Sequence, residues 1–126
     1  MLKTDFTILV IDDDESVIRA LIDLLESAGF RVEAFGSAQN FLDYSFSESH
    51  SVLILDVRMP EISGIELQKQ LAASGSKLPV IFITAHGDAL AKKTALEAGA
   101  VAFLQKPFED QTLFDAIDIA LKKVVH

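Results

Sequence analysis

Four consecutive aliphatic residues, Val52-Leu53-Ile54-Leu55, run straight into a carboxylate, Asp56, and then into Val57-Arg58-Met59-Pro60. A short apolar run without polar alternation, bounded by a polar segment and a proline, reads as a strand buried on both faces. Such strands belong to parallel sheets covered on both sides by helices, so this one stretch narrows the fold classes sharply. It also raises a question of charge. A carboxylate buried at a strand end without a partner is costly, so Asp56 either meets solvent there or has a cation beside it.

The rest of the chain alternates in the same sense. Phe6 to Ile11 has strand character, and Val17, Leu21, Leu24, Leu25 and Ala28 trace one face of a helix that Gly29 can close. Arg31 to Phe35 alternates as a strand, and Ser37 can cap a short helix carrying Ala38, Phe41 and Leu42. Ser63-Gly64-Ile65-Glu66 has the form of a capping box, opening a helix expected to turn Ile65, Leu71 and Ala72 inward. Pro79 to Ile83 is the next strand. Asp88 to Ala98 is helical but poor in large apolar residues, with Gly99 at its end, and Val101 to Leu104 makes a last strand. Leu113, Ala116, Ile117, Ala120, Leu121 and Val124 then give the cleanest helical stripe. Five strand-helix units imply an α/β fold, a flavodoxin-like (βα)5 three-layer sandwich with a parallel sheet in the order 2-1-3-4-5. The first turn is not Gly-rich, which disfavours the dinucleotide-binding order.

Composition closes off several functions. At 126 residues the chain is expected to be one domain, 1–126, with half of its residues hydrophobic. No window approaches the roughly 18 apolar residues of a membrane span, and Met1-Leu2-Lys3-Thr4-Asp5 lacks the form of a signal peptide. Without cysteine there is neither a disulfide framework nor thiolate chemistry, and reducing cytoplasm is the expected compartment. A formal net charge of -8 argues against direct nucleic-acid binding by this surface.

In a parallel sheet the strands finish on one edge, where ligands bind near the reversal of strand order. The first strand ends in Asp12-Asp13-Asp14-Glu15, the third in Asp56, the fourth in Thr84-Ala85-His86 and the fifth in Gln105-Lys106-Pro107. The second ends in Gly36-Ser37, without obvious chemistry. Each residue has an ordinary reading by itself. A strand-end aspartate forms turns, Asp14 and Glu15 cap and charge a helix, and a lone threonine or lysine is structural or solvated. Together they change meaning. Crowded carboxylates suit a hard divalent cation, magnesium first. Lys106 and the Thr84 hydroxyl can meet phosphoryl oxygens, which leaves Asp56 as a nucleophile toward phosphorus.

Asp12-Asp13, Asp56 with Met59-Pro60, Thr84-Ala85 and Lys106-Pro107 resemble, in register over nearly the whole chain, the receiver domain of two-component response regulators. Thr84-Ala85-His86-Gly87-Asp88, with Gly99-Ala100-Val101 and Lys106-Pro107-Phe108, is most similar to receivers of the FixJ and NtrC types of transcriptional regulator. The resemblance implies that Asp56 accepts a phosphoryl group from a sensor histidine kinase. Asp13 and Asp56 would ligate magnesium, for which manganese can substitute. Asp12 would act mostly through water, and the backbone carbonyl of Arg58 would complete the protein ligands. Thr84 and Lys106 would bind phosphoryl oxygens, and the Lys106-Pro107 bond would be cis.

Phe103, three residues before the lysine, stands at the place of the switch aromatic, although an ordinary core phenylalanine fits equally. Arg58 and His86, each two residues beyond a site residue, are rate-tuning candidates or plain surface residues. The domain would be regulatory rather than an enzyme, catalysing its own phosphorylation and dephosphorylation. Its output would be transcription, through a homodimer formed on the fourth helix, fifth strand and fifth helix.

Other readings remain open at this stage. A flavodoxin-like cofactor binder would need a phosphate-cradling loop where Asp12 to Glu15 stand, and an aspartyl phosphatase would need an acid where Arg58 stands. A degenerate receiver that only binds partners would have lost one of the site residues. The chain stops soon after its last helix, at Lys122 to His126. It is therefore read as a stand-alone regulator or, preferably, as the N-terminal piece of a larger one whose output domain lies outside it.

Overall fold

The sequence alternation becomes a doubly wound sheet in the computed structural model, which describes residues 5–59, 61–85 and 89–124. In chain order the elements are β1 (Thr7–Ile11), α1 (Glu15–Ser27), β2 (Arg31–Phe35), α2 (Ala38–Leu42), β3 (Ser51–Asp56), α3 (Gly64–Ala73), β4 (Val80–Thr84), α4 (Ala89–Glu97), β5 (Ala102–Gln105) and α5 (Asp110–Val124). The strands pair in parallel in the order β2-β1-β3-β4-β5. The aliphatic run Val52–Leu55 lies in the central strand, and every residue of β3 is buried.

Side-chain alternation divides the core between the two faces of the sheet. Ile8, Val10, Val52, Ile54, Ile81 and Ile83 meet Leu21 and Leu25 of α1 and Leu113, Ala116, Ile117 and Ala120 of α5. On the other face Leu9, Ile11, Leu53, Leu55, Val80 and Phe82 meet Ala38 and Phe41 of α2, Leu67 of α3 and Ala95 of α4. Each large side chain so buried stabilises the fold by roughly 1.5–3 kcal/mol before its ordering cost.

Helix ends are set by short polar side chains and by glycine. The Asp14 carboxylate caps α1 by accepting from the Ser16 N–H, Ser37 caps α2, and Ser63 caps α3 by accepting from the Glu66 N–H. At the end of α1, Gly29 has φ 97°, its N–H reaches the Glu26 carbonyl at 3.0 Å, and the Phe30 N–H reaches Leu25 at 3.1 Å. That pair of bonds is the Schellman closure, for which a left-handed residue is required. The same closure recurs at Gly75 and Gly99.

Several local expectations shift. On α3, Ala72 is exposed and the buried residues are Gly64, Leu67 and Gln68. Position 67 lies one helical turn before Leu71 and so shares its face, whereas Ala72 is rotated about 100° away. Leu42 at the end of α2 is 45% exposed. A 3-10 turn over Glu48–His50 precedes β3, in a polar stretch with no hydrophobic period to announce it. Strand β1 begins at Thr7 and β5 at Ala102, each one residue later than the apolar run suggested. Helix α4 is described from Ala89, so the expected start at Asp88 lies outside the described residues.

Candidate functional site

Strand register decides which side chains meet at the carboxyl edge. Ile11 is level with Leu55, so the next residues, Asp12 and Asp56, leave adjacent strands side by side. Asp56 is level with Ile83, and Thr84 is level with Gln105. Thr84 and Lys106 therefore each sit one step further along the edge. The Lys106 N–H donates to the Thr84 carbonyl at 2.8 Å, which fixes the lysine's backbone to the end of β4. The Lys106-Pro107 peptide bond is cis.

Asp12, Asp13 and Asp56 each offer a carboxylate oxygen, and these oxygens lie within 4.8 Å of one another. Asp12 and Asp56 are buried, Asp56 being 8% exposed, while Asp13 faces solvent. One Asp12 oxygen accepts from the Asp14 N–H at 2.9 Å, and the other pairs with the Lys106 ammonium at 3.2 Å. Asp56 Oδ1 accepts from the Arg58 N–H at 3.3 Å. Burial first, and then the neighbouring Asp12 charge, push the Asp56 carboxyl up to about 6. The Arg58 N–H and the Lys106 ammonium pull the other way without cancelling this. By contrast, Asp14, the helix cap, is held below the usual carboxylate range by its bonds from Ser16.

The donor set is oxygen-only, and one lysine does not neutralise three crowded acids. Both features fit a hard divalent cation of the magnesium type better than a transition metal, which favours nitrogen and sulfur ligands. The raised proton affinity of Asp56 has a measurable consequence. Folded Asp56 binds its proton more tightly than the unfolded chain, whose carboxyl titrates near 3.8. Its charge thus costs the fold most above about pH 6, and that cost vanishes as pH falls toward 3.8. Without divalent cations, Asp56→Asn is expected to be more stable than the parent by about 1–2 kcal/mol at pH 8, the gap closing by pH 4. Paired urea melts across that range check this; equal stability of the two proteins at pH 8 would contradict it.

Gly64 is the site residue that the sequence argument passed over. A Cβ there would collide with the Asp56 carbonyl oxygen and come within 3.1 Å of the Phe82 ring. The Gly64 N–H donates to Val57 at 2.8 Å, so the start of α3 presses directly on the end of β3. The available signal was a weak helix former at the first helical position, just past Ser63.

Phe103 is half-buried, its ring centroid 6.0 Å from that of buried Phe82 with planes inclined at 40°. It packs on the sheet face covered by α2, α3 and α4. Thr84 is buried at the end of β4, and the Arg58 side chain is exposed. His86 and Pro60 lie outside the described residues, as does His126. His50 lies beside Phe6, 6.1 Å between ring centroids with planes tilted by 38°, before the start of β3 and at the opposite end from Asp56.

Comparison with known proteins agrees with this geometry. Residues 8–118 match the family model described as the response regulator receiver domain. The chain is 46% identical over 115 residues to the response regulator protein TmoT of Ectopseudomonas mendocina, covering 91% of this chain and 52% of that protein. It is 40% identical over 122 residues to the transcriptional regulatory protein FixJ of Rhizobium meliloti, covering 97% of this chain and 60% of that one. Among solved structures, response regulator StyR superposes with a TM-score of 0.89 at 50% identity, over 96% of this chain and 61% of that one. FixJ-N superposes with a TM-score of 0.84 at 39% identity, over 94% of both chains. The chain belongs to the response regulator receiver domain family, a family of signalling domains rather than enzymes in the usual sense. It spans about half the length of the curated relatives it matches. Among the described residues no helix is long and apolar enough to cross a membrane.

Proposed function

We propose that this chain is the phosphoacceptor of a two-component system and that Asp56 is the residue modified. The observation that carries the proposal is the convergence of Asp12, Asp13 and Asp56 at one strand edge with Lys106 already among them. Asp13 and Asp56, with the Arg58 carbonyl, would hold magnesium directly, and Asp12 would do so through water. When bound, the ion would neutralise the carboxylates and the phosphoryl oxygens. An Asp56 oxygen attacks phosphorus, the bond from phosphorus to the donor's imidazole nitrogen breaks, and its electron pair leaves with the imidazole. The product is an acyl phosphate. Lys106 and the Thr84 hydroxyl donate to the phosphoryl oxygens, and Phe103 moves with Thr84 as the response.

A sensor histidine kinase is the donor in this reading, and the domain itself catalyses transfer from small donors and later hydrolysis. The output is transcription, supported by relatives described as transcriptional regulators. Dimerisation through α4, β5 and α5 is supported by exposed apolar side chains on its two helices, Leu90 at 73%, Leu96 at 40% and Ile119 at 51%. Beryllofluoride with magnesium is expected to double the mass in solution. Unchanged mass at micromolar chain would count against that interface.

The direct test of the function is incubation with a small phosphodonor and magnesium, followed by peptide mapping by mass spectrometry. One phosphoryl group on the peptide containing Asp56 is expected. No uptake, or uptake elsewhere, would leave the degenerate, partner-binding reading in its place.

A further inference from the structure

Among the described residues the buried polar side chains are Asp12, Ser51, Asp56, Gln68 and Thr84. Three of these belong to the site, and Ser51 opens β3. Gln68 belongs to neither. It lies on α3, 5% exposed, and its Nε2 donates across to the Ala95 carbonyl of α4 at 3.3 Å. Its Oε1 is the one buried side-chain polar atom among the described residues with no hydrogen-bond partner. The Nε2 bond is therefore the polar tie this side chain makes among the described residues, and it joins two separate elements, α3 and α4.

That tie matters because α4 is otherwise loosely held. Of its described residues only Ala95 is buried, while Leu90 is 73% and Leu96 40% exposed. A cavity of about 210 Å3 lies beside the C-terminal ends of α3 and α4, its lining including Gln68 and Leu71 of α3, Val80 of β4, Gly99 just past α4 and Lys123 of α5. Apolar packing does not close this gap, and the Gln68 amide bridges beside it. The carbonyl it grips also accepts the Ala100 N–H at 3.0 Å, the outer bond of the Schellman closure. The grip thus falls on the last turn of α4. The opposite end of that helix is the one that follows Thr84.

We infer that Gln68 is a positioning residue that pins the C-terminal turn of α4 to α3 in the resting arrangement, a contact that movement of α4 would break. The inference of movement rests on the phosphoacceptor reading; the pin itself does not. The pin favours the resting arrangement, so a phosphoryl mimic that prefers the moved arrangement works against it.

Gln68→Met keeps the length and volume of the side chain and removes the amide. Gln68→Leu is a second apolar replacement of different shape, so a result common to both reports the lost bridge. Amide hydrogen exchange, read without metal or phosphoryl mimic, is expected to quicken about fivefold in residues 89–97 of both variants. Exchange in α1 and α5 should be unchanged, which a general loss of stability would not allow. Beryllofluoride affinity in magnesium is expected to tighten about fivefold, by the same margin. Unaltered exchange in α4, or exchange that quickens equally everywhere, overturns the pin. Faster α4 exchange with unaltered beryllofluoride affinity overturns its coupling to the site. Failure of beryllofluoride to bind the parent chain would overturn the phosphoacceptor reading instead, and the exchange result would still decide the pin.

Discussion

Asp56→Asn is expected to take up no phosphoryl group from a small phosphodonor in magnesium, and Asp13→Asn to do so at least about 100-fold more slowly than the parent. The two losses have different physical origins. The asparagine at 56 keeps the size and most of the hydrogen bonding of the side chain but has no anionic oxygen to attack phosphorus. Asp13 is exposed and makes no bond that the fold depends on among the described contacts, so its loss acts through charge and metal affinity. Folding separates these losses from trivial ones. At pH 8 without divalent cations, Asp56→Asn should melt above the parent, because it removes the buried charge that Asp12 and burial make costly. Time courses of phosphorylation read by intact mass, alongside melting curves, check both halves. Residual modification of Asp56→Asn at the parent's rate would move the acceptor elsewhere.

Gly64→Ala should destabilise the protein by about 1–3 kcal/mol and weaken divalent-cation binding together. Alanine is a better helix former than glycine by about 1 kcal/mol, so propensity alone would predict the opposite sign. The new methyl would overlap the carbonyl oxygen of Asp56 itself, which is backbone and cannot swing aside. Relief would require the start of α3 to lift, which removes its brace from the strand end carrying Asp56, or the end of β3 to shift, which displaces the carboxylate directly. Gly36→Ala is the control, since a Cβ there meets nothing within 4 Å, and a change within about 0.5 kcal/mol is expected. Urea melts with and without magnesium distinguish the cases. Equal behaviour of the two variants would show that α3 gives way freely and does not brace the site.

Much of this was legible because its determinants are local or periodic. The unbroken run from Val52 to Leu55 implied a strand buried on both faces, and β3 is buried throughout. Of the stripe on α5, Leu113, Ala116, Ile117 and Ala120 are buried, and Leu121 and Val124 near its end are half-buried. The acids of the first and third strand ends could be brought together on paper because parallel strands finish on one edge, and the register makes Asp12 and Asp56 neighbours. What escaped depends on contacts between elements. Nothing local says that Gly64 must be bare to let Asp56 through, or that Gln68 will be buried against Ala95. Ala72 turns outward and Leu67, which no stripe on paper singles out, turns inward, because α3 is short and its period admits more than one stripe. The pairing of Lys106 with Asp12, rather than with Asp56, is likewise a matter of three-dimensional placement.

The claim beneath all of this is that three acids share one divalent ion, and magnesium titration by calorimetry tests it most directly. At pH 6, where the Asp56 carboxyl is about half protonated, binding should release protons, detectable as a dependence of the heat on the buffer. The account predicts one magnesium per chain, proton release that disappears at pH 8 and in Asp56→Asn, and affinity at least about tenfold weaker in Asp13→Asn. Saturable binding that neither substitution alters, or no saturable binding at millimolar magnesium, would contradict it.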